Sequence, residues 1–482
     1  MSKRYVITVK RGSEEFLLYA GNGTRLYDVL RASGFEINAP CGGNGRCGKC
    51  MTEINGVMTK LCTFTVSGDH LVKLGAKDES ELKSKPDYGG RIVDAAVDIG
   101  TTTVAIKVID PSGELPPSEL VMRNRQRSFG DDVISRITYS ETEESALSTL
   151  RDTIRNQVRE MIAELTGDKA TLRHTVIAGN TIMSSFYEGI SASSIARAPF
   201  IPESLFGYEW EGEYIARCVA GYVGGDITCG AFYCGLGRKD KIELLVDIGT
   251  NGEIVLCDRG RLMCCACAAG PAFEAATLSC GMYAGEGAIK SVKVTKGKME
   301  TETIGNASPK GICGSGIIDA VACMLDLGLI DETGRLLERE EIEGELSQYA
   351  RGEGNDAVFF LSGDVYVSAR DIREIQLAKA AIAAGIQTLL YKAGRTADEL
   401  DTLYLAGGFG AAVNLESAVR IGLIPECGNT VPTGNSSLKG AEMLLNEDNR
   451  EKTRFLAESM EYTELSHSRE FMDYYVDNME FI

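Results

Sequence analysis

Four cysteines near the start of the chain have the type and spacing to hold a metal. Cys41, Cys47, Cys50 and Cys62 follow a C-x5-C-x2-C-x11-C pattern, and glycines lie between the first three. Four converging thiolates are the ligand set of an iron–sulfur cluster, and the glycines let backbone N–H groups approach its sulfides. A four-cysteine zinc site is the alternative, but such sites usually contain two C-x2-C pairs, and this loop has only one. The spacing therefore favours a [2Fe–2S] cluster.

Two matching turns carry groups that could bind phosphate. The sequence Asp98-Ile-Gly100-Thr101-Thr102 recurs as Asp247-Ile-Gly249-Thr250-Asn251, and each copy lies between apolar segments typical of strands. Backbone N–H groups and hydroxyls in such a turn can bind phosphate oxygens, and the aspartate can hold Mg2+, usually through water. A further turn, Gly407-Gly408-Phe-Gly410, follows another strand-like segment. Ordinary tight turns would also need these glycines, but a matched pair followed by a third turn favours a nucleotide site.

Two carboxylates near these turns are candidate catalytic residues. Asp226 follows a pair of glycines, and Glu253 lies just after the second turn. Either could orient an attacking water or hold a metal ion. The alternatives are that Asp226 caps a helix N-terminus and that Glu253 is a solvated strand residue. The sequence leaves both pairs of alternatives open.

The elements that must position the cysteines form one small predicted unit. A hairpin of two alternating strands is followed by a helix around Leu26–Leu30, because the apolar residues there have helical spacing. The predicted strands are Tyr5–Val9, Glu15–Tyr19, Leu61–Val66 and His70–Leu74. Residues 76–92 are charged and contain a Pro and a Gly pair, which is typical of a linker.

The elements that must position the phosphate turns form two related lobes. From Val93 onward strands alternate with long helices, as in α/β proteins. The repeat of 149 residues is too long for a solenoid and indicates a duplicated lobe. Apolar residues from Ile372 to Leu390 predict one long amphipathic helix. The predicted domains are 1–75, a linker at 76–92, the first lobe at 93–242 and the second lobe at 243–482.

Composition excludes several classes of function. The chain has 482 residues and a formal net charge of −19, which would repel nucleic acid, and we expect no nucleic-acid partner. No apolar run is long enough for a membrane span, and the start lacks the apolar region of a signal peptide. We therefore expect a soluble, cytoplasmic protein with no membrane partner. Fifteen cysteines, an odd number, favour reduced thiols, and Cys264 and Cys267 are expected to be buried structural thiols.

Both modules resemble known families. The cysteine unit resembles a β-grasp ferredoxin domain, with a first gap one residue longer than the plant pattern. The two lobes resemble the superfamily of acetate and sugar kinases, heat-shock chaperones and actin (ASKHA), whose duplicated lobes bind ATP between them. By position, residues 98, 100, 101 and 102 match the phosphate-1 motif, 247 and 249–251 match phosphate-2, and 407, 408 and 410 match the adenosine motif. The expected fold class is thus a multidomain α/β and α+β chain, with a β-grasp [2Fe–2S] ferredoxin domain followed by a two-lobed ASKHA domain.

The combination resembles the reductive activators of corrinoid enzymes, best known from anaerobes. The motifs that carry this resemblance include Phe129-Gly-Asp-Asp-Val-Ile-Ser-Arg136 and Ala178-Gly-Asn-Thr181, besides the turns at 247 and 407. The resemblance implies an ATP-dependent enzyme that returns an inactive Co(II) corrinoid protein or methyltransferase to Co(I), with an electron from the [2Fe–2S] cluster. It also implies ATP and Mg2+ as cofactors, a low-potential electron donor and a homodimer. Larger members insert domains between the two modules, whereas only about 17 residues separate them here.

Two other functions remain open from the sequence. An ASKHA kinase acting on a small metabolite, gated by a redox domain, would transfer phosphate without an electron donor. A plain ferredoxin electron carrier would transfer electrons regardless of ATP. Activators of 2-hydroxyacyl-CoA dehydratases share the ATP fold but hold a [4Fe–4S] cluster between subunits, which the four-cysteine loop does not fit.

Overall fold

The chain folds into two compact units. A computed structural model describes residues 4–11, 14–33, 35, 37, 39, 45, 50–74, 81–82, 86–167, 170–238, 240–275, 277–295, 297–410 and 412–481. The first unit comprises Met1–Ser204 and Glu209–Tyr214, and the second comprises Leu205–Tyr208 and Ile215–Ile482. Cys41, Cys47 and residues 76–80 and 83–85 of the predicted linker lie outside the described residues.

The first unit begins with a small sheet covered by one helix. Its elements are β1 (Arg4–Arg11), β2 (Glu14–Gly21), α1 (Leu26–Ala32), β3 (Met51–Ile54), β4 (Val57–Lys60) and β5 (His70–Leu74). The strand order is β2-β1-β5-β3-β4. β1 and β2 form the predicted antiparallel hairpin, and β1 runs parallel to β5. Leu26 and Leu30 of α1 are fully buried with Ile7 and Val9 in one core, so the helical spacing is confirmed.

The predicted strand Leu61–Val66 is wrong. Leu61–Thr63 instead forms a short 3₁₀ helix, and the Leu61 N–H donates to the Cys50 carbonyl at 3.0 Å. Alternation of apolar residues cannot distinguish a strand from a turn of this length, because both bury every second or third side chain. The 3₁₀ turn brings Cys62 back beside Cys50.

A seven-stranded sheet follows in the chain. Its elements are β6 (Glu81–Leu82), β7 (Ile92–Ile99), β8 (Thr103–Ile109), β9 (Ser118–Arg123), α2 (Val133–Ser140), α3 (Ala146–Thr166), β10 (Thr171–Gly179), α4 (Thr181–Glu188), β11 (Tyr208–Trp210) and β12 (Glu213–Ile215). The order is β11-β12-β10-β7-β8-β9-β6. β7 runs parallel to β10 and antiparallel to β8. The turn at 98–102 therefore lies at the end of a central strand.

The second unit repeats this arrangement. Its strands are β13 (Ile242–Ile248), β14 (Gly252–Asp258), β15 (Arg261–Cys267), β16 (Ala288–Thr295), β17 (Lys298–Thr303), β18 (Gly311–Ile312), β19 (Ala350–Arg351), β20 (Val358–Ser362), β21 (Val365–Ser368), β22 (Thr402–Ala406), β23 (Thr430–Gly434) and β24 (Met460–Tyr462). The main sheet has the order β23-β22-β13-β14-β15-β24. β13 runs parallel to β22 and antiparallel to β14, just as β7 does to β10 and β8, so the predicted duplication is confirmed in the topology.

Helices cover both faces of the main sheet in the second unit. They are α5 (Gly225–Cys234), α6 (Gly314–Asp326), α7 (Ala369–Ala393), α8 (Gly407–Gly410), α9 (Leu415–Arg420), α10 (Ser436–Met443), α11 (Glu447–Glu458) and α12 (Arg469–Asp477). On β13, Leu244 and Val246 face a large core that includes α6 and α7, whereas Leu245 faces a smaller core with Ile227 of α5. This alternation is the period of two that a strand buried on both faces requires. The predicted long helix is α7, so that expectation is confirmed.

The C-terminal segment, in which the sequence offers no motif, is held by polar groups of α7. The Gln376 side-chain amide donates to the Met479 carbonyl at 2.7 Å. Lys379 is fully buried, donates to the Glu480 carbonyl and lies 5.3 Å from the centre of the Phe481 ring. Burial lowers the pKa of Lys379 to about 8. The segment is therefore part of the folded second unit.

Gly440 on α10 sets how closely this helix packs on α5, the helix that carries Asp226. A Cβ atom at position 440 would collide with the backbone of Cys229. We expect Gly440→Ala to lower the free energy of unfolding by about 1–3 kcal/mol, because the helices must separate. Gly428→Ala, where a Cβ would meet nothing within 4 Å, is the control for urea unfolding. Equal unfolding midpoints for the two variants would contradict this packing.

Candidate functional site

Two of the four predicted cluster ligands lie side by side. The Sγ atoms of Cys50 and Cys62 are 3.1 Å apart, and both thiols are buried and not joined by a disulfide. Cys50 precedes β3, and Cys62 lies on the 3₁₀ turn whose first N–H bonds to Cys50. Cys41 and Cys47 are outside the described residues. The paired sulfurs fit two ligands of one metal centre.

The first phosphate turn is a compact structure between β7 and β8. The Gly100 N–H donates to the Thr103 carbonyl at 2.9 Å, which closes the turn. Asn124, which is 1 % exposed, donates from its side chain to the Gly100 carbonyl at 2.8 Å and from its backbone to the Thr102 carbonyl at 2.9 Å. Asp98 sits at the end of β7, opposite Ala105 of β8. Satisfied carbonyls keep the turn in one conformation.

Residues from two sequence motifs, Phe129–Arg136 and Ala178–Thr181, donate hydrogen bonds to Thr101. Arg136 is fully buried and donates to the Thr101 carbonyl and, at 2.8 Å, to the Gly130 carbonyl. Asn180 donates to the Thr101 hydroxyl oxygen at 3.1 Å, and its own carbonyl oxygen accepts the Met183 N–H at the start of α4. Both side chains therefore orient the first phosphate turn. Their motifs are visible in the sequence, but this positioning role is not.

The second phosphate turn has a different set of partners. The Gly249 N–H donates to the Asn251 carbonyl at 2.9 Å. The Thr250 hydroxyl donates to Glu274 Oε1 at 2.7 Å. The sequence gives no sign of this role for Glu274, because it is 24 residues away along the chain in a segment without a recognisable motif.

Three carboxylates converge beside the second turn. Asp247 of β13 and Glu253 of β14 are directly opposite each other in the antiparallel register, so their side chains share one face of the sheet. Asp226 lies in the first turn of α5, and its charge acts on Glu253. The first lobe lacks this feature, because Ala105 stands opposite Asp98. The carboxylate cluster, defined as Asp226, Asp247 and Glu253, thus belongs to the second compact unit and has no counterpart beside the first turn.

Burial and hydrogen bonding distinguish between the alternative roles that the sequence leaves open for Glu253 and Asp226. Glu253 is only 9 % exposed, so the alternative that it is a solvated strand residue is wrong. Burial raises the pKa of Glu253 well above its usual range, and the charges of Asp226 and Asp247 raise it further. Asp226 accepts the Ile227 N–H at 2.8 Å, but the N-cap residue of α5 is Gly224. Three such carboxylates need a proton or a cation to balance their charge.

The glycine turn at 407–410 lies against the same cluster. Gly407 has a φ of +92°, and a Cβ there would come 2.8 Å from Asp247 Oδ1. The position therefore requires glycine for its backbone conformation and for the approach to Asp247. Gly408 faces open space, since a Cβ added there would meet nothing within 4 Å. Gly410 ends the same short helix.

The cysteines on β15 are buried, as expected. Cys264 and Cys265 have no exposed surface, and Cys267 is 5 % exposed. Burial raises the pKa of Cys264 to about 12 and also raises the pKa values of Cys265 and Cys267. Thiols with such pKa values are protonated and unreactive at neutral pH. Among the described residues, no helix is long and apolar enough to cross a membrane.

Comparison with known proteins identifies the family. The model described as the C-terminal ASKHA domain of RACo matches residues 241–482, and the model of the RACo middle region matches residues 93–239. The corrinoid activation enzyme RamQ of Eubacterium limosum is 31% identical over an aligned length of 571 residues, which covers 94% of this chain and 95% of RamQ. The Co(II) methylated amine-specific corrinoid protein reductase of Methanosarcina barkeri is 24% identical over 399 residues, covering 74% of this chain and 70% of the relative.

A solved structure gives the same result. The reductive activator for a corrinoid, iron–sulfur protein superimposes with a TM-score of 0.72 at 28% identity, covering 99% of this chain and 98% of that one. The fold and the matching family model thus define an ASKHA protein with a small N-terminal β domain. The chain belongs to the RACo family, the reductive activators of corrinoid proteins.

The raised pKa of Glu253 predicts how stability depends on pH in the absence of nucleotide and divalent cations. Between the ordinary carboxyl pKa and the raised one, folded Glu253 keeps a proton that the unfolded chain loses. The free energy of unfolding therefore falls as pH rises, by about 1.4 kcal/mol per pH unit from this group. We expect Glu253→Gln to remove that slope in urea unfolding, and Asp226→Asn to reduce it. A stability difference between Glu253→Gln and the parent chain that does not grow from pH 5 to pH 7 would rule out this origin of the slope.

Proposed function

We propose that this chain is an ATP-dependent reductive activator that returns a Co(II) corrinoid protein or methyltransferase to Co(I). The observation that carries the proposal is the similarity to a corrinoid activation enzyme over 94% of this chain, which spans both the cysteine segment and the phosphate turns. In the overall reaction one electron reduces the substrate cobalt from Co(II) to Co(I), and a low-potential donor protein replaces that electron. A homodimer is the assembly that the family resemblance implies.

The electron carrier in this proposal is a [2Fe–2S] cluster held by Cys41, Cys47, Cys50 and Cys62 in a ferredoxin-type domain. Support comes from the buried Cys50 and Cys62 thiols at 3.1 Å and from the spacing of the four cysteines. When bound, such a cluster supplies single electrons at about −400 mV. The chain contributes the thiolates, the burial of two of them and the 3₁₀ turn that brings Cys62 to Cys50.

ATP and Mg2+ are the proposed ligands of the three glycine turns. Asp98, Gly100, Thr101 and Thr102 bind phosphate in the first turn, where Asn124, Arg136 and Asn180 fix the backbone. Asp247, Gly249, Thr250 and Asn251 form the second phosphate turn, and Gly407, Gly408 and Gly410 receive the adenosine. The fit to Mg2+ is supported by the donor set, since the buried Glu253 and the two half-buried aspartates, which repel one another, would be stabilised by a divalent cation.

Asp226 and Glu253 are the proposed catalytic carboxylates. Their oxygens, with those of Asp247, hold the cation or orient the water that attacks the terminal phosphate. The raised pKa keeps Glu253 protonated until positive charge arrives, after which Glu253 can accept a proton from that water. The carboxylate cluster thereby responds to whether nucleotide and its cation are bound.

Energy from nucleotide binding or hydrolysis is needed because Co(II) reduction requires a lower potential than a plant-type cluster comfortably supplies. For one electron, 59 mV corresponds to about 1.4 kcal/mol. A coupling of about 5.5 kcal/mol, which shifts a two-state equilibrium about 10⁴-fold, covers roughly 240 mV. A conformational change driven by ATP, which alters how the activator holds the Co(II) protein, is the proposed source of this coupling.

Replacing Asp247 separates nucleotide use from electron supply. We expect Asp247→Asn to slow ATP-dependent Co(I) formation about 100-fold or more, because a group that binds the phosphate or cation is lost. The same variant should still be reduced by dithionite, as judged by bleaching of its visible absorption under anaerobic conditions. Asp240→Asn, on the exposed turn before β13, is the control and should behave as the parent chain.

Three results of the Asp247→Asn comparison would contradict the proposal. Joint loss of reducibility and Co(I) formation would mean that the two functions are not divided between the modules. Co(I) formation at the parent rate would indicate a plain electron carrier. Phosphate transfer to a small metabolite that needs no electron donor would indicate a kinase.

Replacing Cys62 tests the cluster ligands independently. We expect Cys62→Ser to contain far less than the approximately two irons per chain of a [2Fe–2S] protein and to lose its visible absorption. ATP binding should be retained, because the nucleotide turns lie elsewhere in the chain. Cys427→Ser is the control, since this partly exposed thiol bonds only to backbone carbonyls among the described residues. Equal iron in the two variants, or zinc in place of iron, would overturn the assignment.

A further inference from the structure

Helix α1 of the small N-terminal domain contacts the segment 128–139, which is hydrogen-bonded to the first phosphate turn through Arg136. Helix and segment both belong to the first compact unit. Arg31, in the last turn of α1, donates from Nη1 to the Ser128 carbonyl at 2.9 Å. Its guanidinium lies 4.8 Å from the centre of the Phe129 ring and 5.6 Å from that of Tyr139. We call this set of residues, Arg31 with Ser128, Phe129 and Tyr139, the Arg31 contact.

Further ring packing and charge interactions surround the Arg31 contact. The Phe129 and Tyr139 rings pack on each other at 4.7 Å between centroids. Tyr27, one turn earlier on α1, is 2 % exposed, and the charges of both Arg31 and Asp131 act on it. Asp131 pairs with Arg127 at 2.9 Å and has a buried Oδ2 atom without a hydrogen-bond partner. Hydrogen bonding and cation–π attraction thus act together on one arginine.

The same segment is bonded directly to the phosphate turn. Ser128 accepts from Arg31, and two residues later Gly130 accepts from Arg136. Arg136 also donates to Thr101, inside the first phosphate turn. The 128–130 backbone therefore connects α1 of the cysteine-bearing domain, through Arg31, to the turn proposed to bind ATP, through Arg136.

Charge supports an attraction between this domain and the rest of the chain. Residues 1–75 contain ten Lys and Arg against six Asp and Glu, a net charge of +4, within a chain whose total is −19. The remaining residues therefore carry −23. A basic domain on an acidic chain is attracted over distances of about a Debye length, and the Arg31 contact fixes where it binds.

We propose that Arg31 is a positioning residue that holds the cysteine-bearing domain on the first lobe, and that nucleotide at the first phosphate turn weakens this hold through Arg136 and Gly130. This rests on the proposed nucleotide binding at residues 98–102. Phosphate charge near Thr101 draws the Arg136 guanidinium toward the turn and away from the Gly130 carbonyl. The 128–130 segment then loses the bond that fixes it under Arg31. The electron-carrying domain becomes available to a partner only when nucleotide is present.

Hydrogen exchange of the full chain with its iron–sulfur centre tests this without a corrinoid partner. We expect Arg31→Ala to raise exchange in peptides covering 25–33 and 125–139 about tenfold, the loss expected for a charge-assisted hydrogen bond and a cation–π contact together. Arg25→Ala is the matched control, because Arg25 bonds to Asp28 on the same helix and not to the 128–139 segment. ATP with Mg2+ should raise exchange in the parent chain and in Arg25→Ala, and should add nothing in the 25–33 peptide of Arg31→Ala.

The Kd for ATP gives a second, independent measurement, because coupling between the Arg31 contact and the nucleotide site is reciprocal. If nucleotide weakens the Arg31 contact by some factor, loss of the contact must strengthen nucleotide binding by the same factor. Calorimetry should therefore give a lower Kd for ATP with Arg31→Ala than with the parent chain or Arg25→Ala. A purely structural Arg31 would leave this Kd unchanged.

Two results would overturn the inference. Equal exchange in Arg31→Ala and Arg25→Ala would show that Arg31 does not hold the domain. Bound ATP that leaves exchange at 125–139 unchanged in the parent chain would show that the turn and the contact are uncoupled. If ATP does not bind at all, the proposed function fails together with the nucleotide-dependent half of this inference. The comparison of the two arginine variants without nucleotide still tests whether Arg31 holds the domain.

Discussion

Repulsion among three carboxylates, of which Glu253 is buried, is the constraint on which the second unit is organised. The antiparallel register of β13 and β14 forces Asp247 and Glu253 to the same face, and the start of α5 adds Asp226. Burial there penalises charge, and with the charges of Asp226 and Asp247 it raises the pKa of Glu253 well above its usual range. Gly407 approaches Asp247 from the end of the neighbouring strand, and Gly440 lets α10 pack tightly on the helix that carries Asp226. These features place an acidic site at the end of the central strand β13.

The duplicated lobes have diverged in chemistry while keeping one topology. Each has a central strand that ends in Asp-Ile-Gly-Thr, with a parallel strand on one side and an antiparallel strand on the other. The first turn is surrounded by donors, namely Asn124, Arg136 and Asn180, whereas the second is surrounded by carboxylates. The donors bond to atoms of the first turn and hold its backbone, whereas the carboxylate oxygens beside the second turn are the ligands that a divalent cation prefers.

The sequence predicts the features that depend on residues close together along the chain. The two Asp-Ile-Gly-Thr turns, the strand–GGFG turn and the long helix α7 follow from spacing alone, and the topology agrees with the duplication. The segment 61–66 has the pattern of a strand because a 3₁₀ turn buries residues with a similar period. The burial of Glu253, the bond from Thr250 to Glu274 and the role of Arg136 depend on contacts between distant segments. No local pattern specifies such contacts.

The proposed electron-carrying domain, joined to an ASKHA domain, leads to one central claim, that ATP drives reduction of a corrinoid. The most direct measurement is the absorption spectrum of a Co(II) corrinoid protein, without oxygen, mixed with this protein and a reductant. Three mixtures are compared: with ATP, with a non-hydrolysable analogue and without nucleotide. We expect Co(I) to form with ATP and not without nucleotide, and the analogue shows whether binding alone is sufficient. Equal Co(I) in all three mixtures would contradict the claim.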